Sequence, residues 1–443
     1  MKNNFTLLTI LVLFLTNGLA QETKQGFSQE KLAEFDTYIE QQITENNIAG
    51  AEVLILKDKI PVWHTALGYK NLGTKAALDK NSIYYIQSMT KPIISTAIMQ
   101  LVEQEKISLN DPIEKYIPEV ATLRVTTDPE KGIKGPTTER KAGITIKHLL
   151  THTAGLSHGL GETLLDKELF AGMYNETLNY KGHENLESRI AFLLSAPLIG
   201  QPGEQWFYSA SPDLLALILQ RVSKQSIPDY LEEHIFNPIG MTDTGYNLTA
   251  TQAKRVMQLH TISDAGVFGV SELQVPTSGN TVYGGTHGLF STAVDYAKFC
   301  QMFLDKGMAN GSKILNPETV ALMQENHVGT FIGDARGFGL GFGVLYNTEN
   351  DPSPAQSGQF YWGGYFRTHF FIDPTENIIA LFMTQKLPYG EEYNIALNRA
   401  VYGSLKNKPL KTPQKRGFFF LNGIFIKPRK EQQIQKICCL SFW

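Results

Sequence analysis

Two groups of strand-like segments, at opposite ends of the chain, constrain its fold most. Residues 51–57 and 60–68 read as a hairpin around Asp58-Lys59. Residues 339–346, 359–362, 365–372 and 378–384 alternate or run apolar, and Asp373-Pro374-Thr375-Glu376-Asn377 supplies the turn between the last two. Between these groups the apolar residues recur at helical spacing, over 89–104, 145–152, 186–194, 213–223, 228–236, 292–304 and 317–324. Amphipathic helices are expected at 30–45 and 395–406. Early and late strands around a helical middle predict an α+β fold: an antiparallel sheet built from both ends, terminal helices packed on it, and a mostly helical inserted region over about 108–290.

The chain has 443 residues, 42% of them hydrophobic and 19% charged, which suits a folded body and not a disordered one. The formal charge of -3 conceals an asymmetry. Residues 404–443 hold nine Lys/Arg and one Glu, which leaves the preceding 403 residues with 31 basic and 42 acidic side chains. An acidic body argues against nucleic acid as a partner. At the start, Lys2, an apolar core over 5–15 and Gly18-Leu19-Ala20 have the form of a secretion signal over 1–20. No cysteine follows the cleavage region to carry a lipid anchor, so the protein is expected to be secreted or periplasmic, with one folded domain over 21–406. Residues 407–443 form a basic extension in which Phe418-Phe419-Phe420 stands between cationic groups; it suits a poorly ordered tail or a weak contact with an anionic membrane. Cys300 in an apolar helix and the adjacent Cys438 and Cys439 make no disulfide framework.

The chemistry centres on Gln87-Ser88-Met89-Thr90-Lys91-Pro92. Apolar positions 94, 97, 98, 101 and 102 follow at helical spacing, and Pro92 suits a first turn. Positions i and i+3 share a helix face, so Lys91 lies beside Ser88. A serine hydroxyl needs a neighbouring base to become a nucleophile, and a buried lysine can lose its own proton and act as one. The helix start adds unpaired N–H groups for an oxyanion. Ser-x-x-Lys also arises by chance: Ser28-Gln29-Glu30-Lys31 lies in a polar helix, where Ser28 reads as an N-cap.

Two further stretches support Ser88. Pro202-Gly203-Glu204-Gln205-Trp206-Phe207-Tyr208-Ser209-Ala210 is a turn and an aromatic run before a helix, and Tyr208 can serve as a base if a cation such as Lys91 lowers its pKa. In Tyr361-Trp362-Gly363-Gly364-Tyr365-Phe366-Arg367-Thr368, the paired glycines mark a bulge or a close backbone approach, and an edge strand there would offer the Tyr365 N–H.

In order and rough spacing, Ser88-Met89-Thr90-Lys91, Tyr208-Ser209-Ala210 and Trp362-Gly363-Gly364 resemble the serine β-lactamase-like superfamily, which includes class C β-lactamases, penicillin-binding carboxypeptidases and family VIII esterases. Lys106-Ile107-Ser108-Leu109-Asn110-Asp111-Pro112, 148–156 and Gly288-Leu289-Phe290-Ser291-Thr292 resemble it as well, so the likeness covers about 30–403. The resemblance implies that Ser88 is the acylated nucleophile, that Lys91 and Tyr208 are its base pair, and that the N–H groups of Ser88 and Tyr365 hold the oxyanion, with Trp362, Gly363 and Gly364 at the substrate. Two departures stand out. Ala210 occupies the place of a frequent Asn, and Trp362 and Gly363 replace the Lys and Thr of a Lys-Thr-Gly motif that resembles a carboxylate dock. With Tyr361, Tyr365 and Phe366, Trp362 instead suggests an aromatic wall for an uncharged ester, as in family VIII esterases. Arg367 would restore a carboxylate anchor if it pointed inward. The alternatives are a β-lactamase or D-alanyl carboxypeptidase acting on amides or β-lactams in the envelope, or a degenerate binding module. No cofactor or metal is implied.

Two other motifs compete. Gly155-Leu156-Ser157-His158-Gly159 spells a nucleophile elbow, yet no strand is expected before it. His148 and His152 stand at i, i+4 but Leu149 occupies the place of a metalloprotease glutamate, so structural hydrogen bonding is expected. Asn175, Asn247 and Asn310 begin glycosylation-type triplets.

Overall fold

The computed structural model describes residues 23–174, 182–349, 351 and 354–405. The secretion-type segment, the Asn175 triplet, the basic extension and Cys438-Cys439 lie outside them.

Eight antiparallel strands form the main sheet. They are β1 (Gly50–Lys57), β2 (Ile60–Asn71), β3 (Ala76–Ala77), β4 (Arg336–Phe338), β5 (Gly343–Leu345), β6 (Phe360–Gly363), β7 (His369–Asp373) and β8 (Ile378–Met383). Their order is β4-β5-β6-β7-β8-β1-β2-β3, so the two ends of the chain meet where β8 pairs with β1. Asp58 and Lys59 both take positive φ, the geometry of the tight hairpin turn that joins β1 and β2. Alternation along the strands sorts side chains to two faces. Val53, Ile55, Phe371, Ala380 and Phe382 face α1 (Gln29–Thr44) and the C-terminal helix Glu392–Ser404, while Leu54, Phe370, Ile372 and Leu381 face the helical region. Ser28 caps α1 by accepting the Lys31 N–H at 3.3 Å, so this second Ser-x-x-Lys is structural.

Helix α2 (Thr90–Glu103) lies in the core between the sheet and α5 (Ser211–Ser223). Also in this region are α3 (Ile146–Leu150) and α4 (Leu186–Leu194). All but two of the α2 residues are fully buried, so burial and not amphipathic contrast fixes it.

Three expectations change. The apolar run 339–346 is not one strand: residues 339–342 form the turn between β4 and β5, where Gly341 takes φ 101°. A side chain on Gly341 would collide with Ser95 of α2. The run 365–372 becomes strand only at His369, because Gly364 N–H donates to Thr368 O (2.7 Å) and Arg367 N–H to Gly364 O (2.9 Å), closing a turn. Tyr365 therefore sits in the turn between two inner strands, not on an edge strand. Helix α3 stops at Leu150, short of the expected 152, because His152 adopts φ 57°.

Candidate active site

A short 3-10 turn, Gln87–Met89, leads into α2 and presents Ser88 at the helix mouth. Lys91, one turn on, places Nζ 2.9 Å from Ser88 Oγ, as the i, i+3 spacing requires. Tyr208, in the loop before α5, donates its hydroxyl to Ser88 Oγ at 2.8 Å. Lys91 Nζ also lies 4.6 Å from the centre of the Tyr208 ring and donates to Thr286 O at 2.8 Å. The structure thus brings Ser88, Lys91 and Tyr208 together from two elements far apart in sequence.

Burial is the main cause that carries the Lys91 amine well below its usual range; Arg189 pushes the same way, and Asp213 opposes them. Burial also raises Tyr208, against the smaller opposing effects of its hydrogen bonds to Ser88 and Trp362. The condition set for a tyrosinate, a pKa lowered by Lys91, is not met. Burial works against the charged form of both groups, lowering Lys91 and raising Tyr208, so Tyr208 is a phenol at neutral pH.

Gly363 and Gly364 bring the β6–β7 turn against this helix mouth. A β-carbon on Gly364 would stand 2.5 Å from Ile86 O, so only glycine admits the approach. Tyr365 follows directly. Among the described residues, neither the Ser88 N–H nor the Tyr365 N–H donates to a backbone carbonyl, and both residues line one cavity. Two such donors beside an activated hydroxyl can hold an oxyanion.

The cavity has a volume of about 440 Å³. Trp206, Phe338, Tyr361, Trp362 and Tyr365 give it an aromatic wall, and Gly363 and Gly364 complete that side. Trp362 packs edge-on against Phe338 (5.1 Å between centroids) and tilts over Tyr208 (5.5 Å). Phe366 does not join the wall: it is fully buried against Tyr85. Arg367 does not reach the cavity either. Its guanidinium donates to Pro388 O (2.7 Å) and pairs with Glu392.

Several participants were missed by sequence reasoning. Arg189 Nε donates to Asp213 Oδ2 at 2.8 Å, both groups almost fully buried, and Asp213 Oδ1 accepts the Thr286 N–H at 2.8 Å. The ion pair thereby anchors the residue whose carbonyl holds Lys91. The available signal was a charged residue inside each of two apolar helices. His158 and His287 line the cavity, bonded to the Tyr174 and Tyr85 hydroxyls at 2.7 and 2.9 Å. Burial keeps both imidazoles, and His152, neutral.

The competing motifs have structural work. Ser157 donates to Asp166 Oδ1 at 2.5 Å and accepts the Gly159 N–H at 2.9 Å, in a loop with no strand before it. His148 Nδ1 accepts the Thr145 N–H (3.3 Å) in a capping box, and His152 Nδ1 accepts the Ser209 N–H (3.2 Å), which steadies the residue after Tyr208.

The family model for beta-lactamase matches residues 35–402. Protein Rv1367c of Mycobacterium tuberculosis is 29% identical over 387 residues, covering 83% of this chain and 92% of that protein. Esterase EstB of Burkholderia gladioli is 25% identical over 398 residues, covering 84% and 95%. The structure of EstCE1, described as a hydrolase with promiscuous acyltransferase activity, superposes with a TM-score of 0.71 over 84% of this chain and 99% of that one, at 24% identity. The chain belongs to the beta-lactamase family and is a serine hydrolase.

Proposed function

We propose that the protein is an esterase acting on small uncharged esters through an acyl-enzyme on Ser88. The observation that carries this reading is the aromatic wall where a carboxylate dock would stand: Trp362 and Gly363 bring no cation, and Arg367 is turned away to Glu392. A carboxylate brought in there without a partner would lose hydration and gain no ion pair. Of the cations along the cavity, Arg336 is bound to Asp351 (Nε to Oδ2, 2.6 Å) and Arg399 is exposed on the C-terminal helix. The similarity to EstB supports the same substrate class.

The steps follow from the proton inventory. Neutral Lys91 takes the Ser88 proton as Oγ attacks the ester carbonyl, and the N–H groups of Ser88 and Tyr365 hold the resulting oxyanion. The Tyr208 hydroxyl gives its proton to the leaving alkoxide, and the Lys91 ammonium then restores the proton of Tyr208. Water repeats the cycle in reverse roles: the Lys91–Tyr208 pair removes its proton, water attacks the acyl carbon, and Ser88 leaves reprotonated. The secretion-type segment at 1–20 supports a location outside the cytoplasm.

The test is a comparison of kcat/KM for p-nitrophenyl butyrate and a chromogenic cephalosporin. The expected result favours the butyrate by about 10- to 10²-fold, the scale of a lost anchoring interaction on a charged group. A higher value on the cephalosporin would overturn the esterase assignment.

A further inference from the structure

Gln87, the residue before Ser88, is a polar group in the cavity wall, next to the nucleophile, that the proposed mechanism leaves unused. It takes φ 48°, left-handed backbone that glycine or asparagine adopts far more readily than glutamine. It is 4% exposed, and its amide Nε2 has no hydrogen-bond partner among the described residues. It lines the cavity beside the nucleophile. Its polar neighbours there are engaged: Tyr208 to Ser88, His158 to Tyr174 and His287 to Tyr85. A buried amide N–H without an acceptor is costly, and among the described residues the Trp206 indole N–H in the same wall also lacks one, so the cavity presents donors that await an acceptor.

The second motif sharpens this. Ala210, where the related pattern carries an amide side chain, is fully buried under α5 and presents only a methyl group. Gln87 is then a source of an amide donor in the cavity itself.

We propose that Gln87 is a specificity-determining residue that donates a hydrogen bond from its side-chain amide to a second acceptor oxygen on the acyl portion of the substrate, within a few bonds of the scissile carbonyl. The preferred substrates are therefore acyl esters carrying an ether, keto or amide oxygen close to the ester, and plain alkanoyl esters leave the amide unsatisfied. This rests on the reading of the site as an esterase. The short tether of Gln87 to Ser88 limits the distance, and the absence of charge on the amide favours a neutral oxygen.

The experiment compares p-nitrophenyl pentanoate with its near-isostere p-nitrophenyl β-methoxypropanoate. The intrinsic reactivities of the two esters differ, so the measured quantity is the ratio of their kcat/KM values in the wild type divided by the same ratio in Gln87→Met, which keeps size and removes the donor. Each ratio is independent of how much of a variant folds. The expected quotient is about tenfold in favour of the methoxy ester, the scale of one buried neutral hydrogen bond. Gln87→Glu, which keeps the shape and turns the donor into an acceptor, should lower the methoxy preference further, and it supplies the comparison if Gln87→Met shows no turnover. A ratio unchanged across wild type and variants, with the wild type active on both esters, would overturn the role of Gln87 and leave the esterase reading standing. A wild type inactive on both esters would overturn both.

Discussion

At the scale of single residues, the chemistry turns on two buried groups displaced in opposite directions. Lys91 is pushed down, mainly by burial, and Tyr208 is pushed up by it. The active form in our mechanism has Lys91 neutral and Tyr208 protonated. Lowering the pH protonates Lys91 and removes the base, so kcat/KM should fall on the acid side. Because the lysine is depressed, that fall should come well below the ordinary lysine range, leaving full activity at neutral pH. Raising the pH ionises Tyr208 and removes the acid, and since burial raises it, the alkaline fall should come above the ordinary tyrosine range. A pH–rate profile with a plateau across neutrality is the expected outcome; an acid limb near the unperturbed lysine value would contradict it. Tyr208→Phe and Lys91→Ala should each lower kcat by roughly 10²-fold or more, and the double variant should lose far less than the product, because the two share one proton circuit. Multiplicative losses, measured in steady-state kinetics, would separate them.

At the scale of elements, close approach and buried charge hold the site together. Gly364→Ala would drive a methyl group into Ile86 O, one residue before Gln87 and two before Ser88. It should reduce kcat by about 10²-fold, the cost of misplacing a reacting group, with a smaller change in KM. Arg189→Met would take from buried Asp213 the guanidinium that balances its charge, and about 3–5 kcal/mol of stability should be lost in denaturant titration. The double variant Arg189→Met/Asp213→Asn should recover part of that loss, since no lone charge remains.

The elements also mark what was legible beforehand. The Asp58-Lys59 hairpin, the Ser28 cap and α2 are written in local chemistry: a two-residue turn, a hydroxyl before a helix, apolar residues at a fixed period. The strand limits near 339–346 and 365–372 were not. Gly341 and the Gly364–Thr368 turn interrupt apolar runs for reasons of contact with α2 and Ile86, and no local signal reports those contacts. Ser88, Lys91, Tyr208 and the glycine pair were readable because the motif spacing carries them. Arg189, Asp213, His158, His287 and Gln87 were not, because their roles depend on a site assembled from many separated stretches of the chain. The direction of the Tyr208 shift is not legible for a related reason: sequence shows the neighbouring lysine but not the burial of the pair.

At the scale of the whole molecule, the sheet is closed by pairing β8 with β1, and the helical region is inserted between the two halves. The nucleophile helix mouth, the Tyr208 loop and the β6–β7 turn belong to different stretches, so an active site exists only when both ends of the chain have met. The family model spans the whole of this arrangement, from 35 to 402. The central claim is that turnover passes through a covalent ester on Ser88. Intact-mass analysis after rapid acid quench from p-nitrophenyl butyrate, with peptide mapping of the adduct, tests it most directly. The expected result is one butyryl group on Ser88 in the wild type, and none in Ser88→Ala with activity reduced by orders of magnitude. An adduct mapped to Ser157, or wild-type turnover by Ser88→Ala, would contradict it.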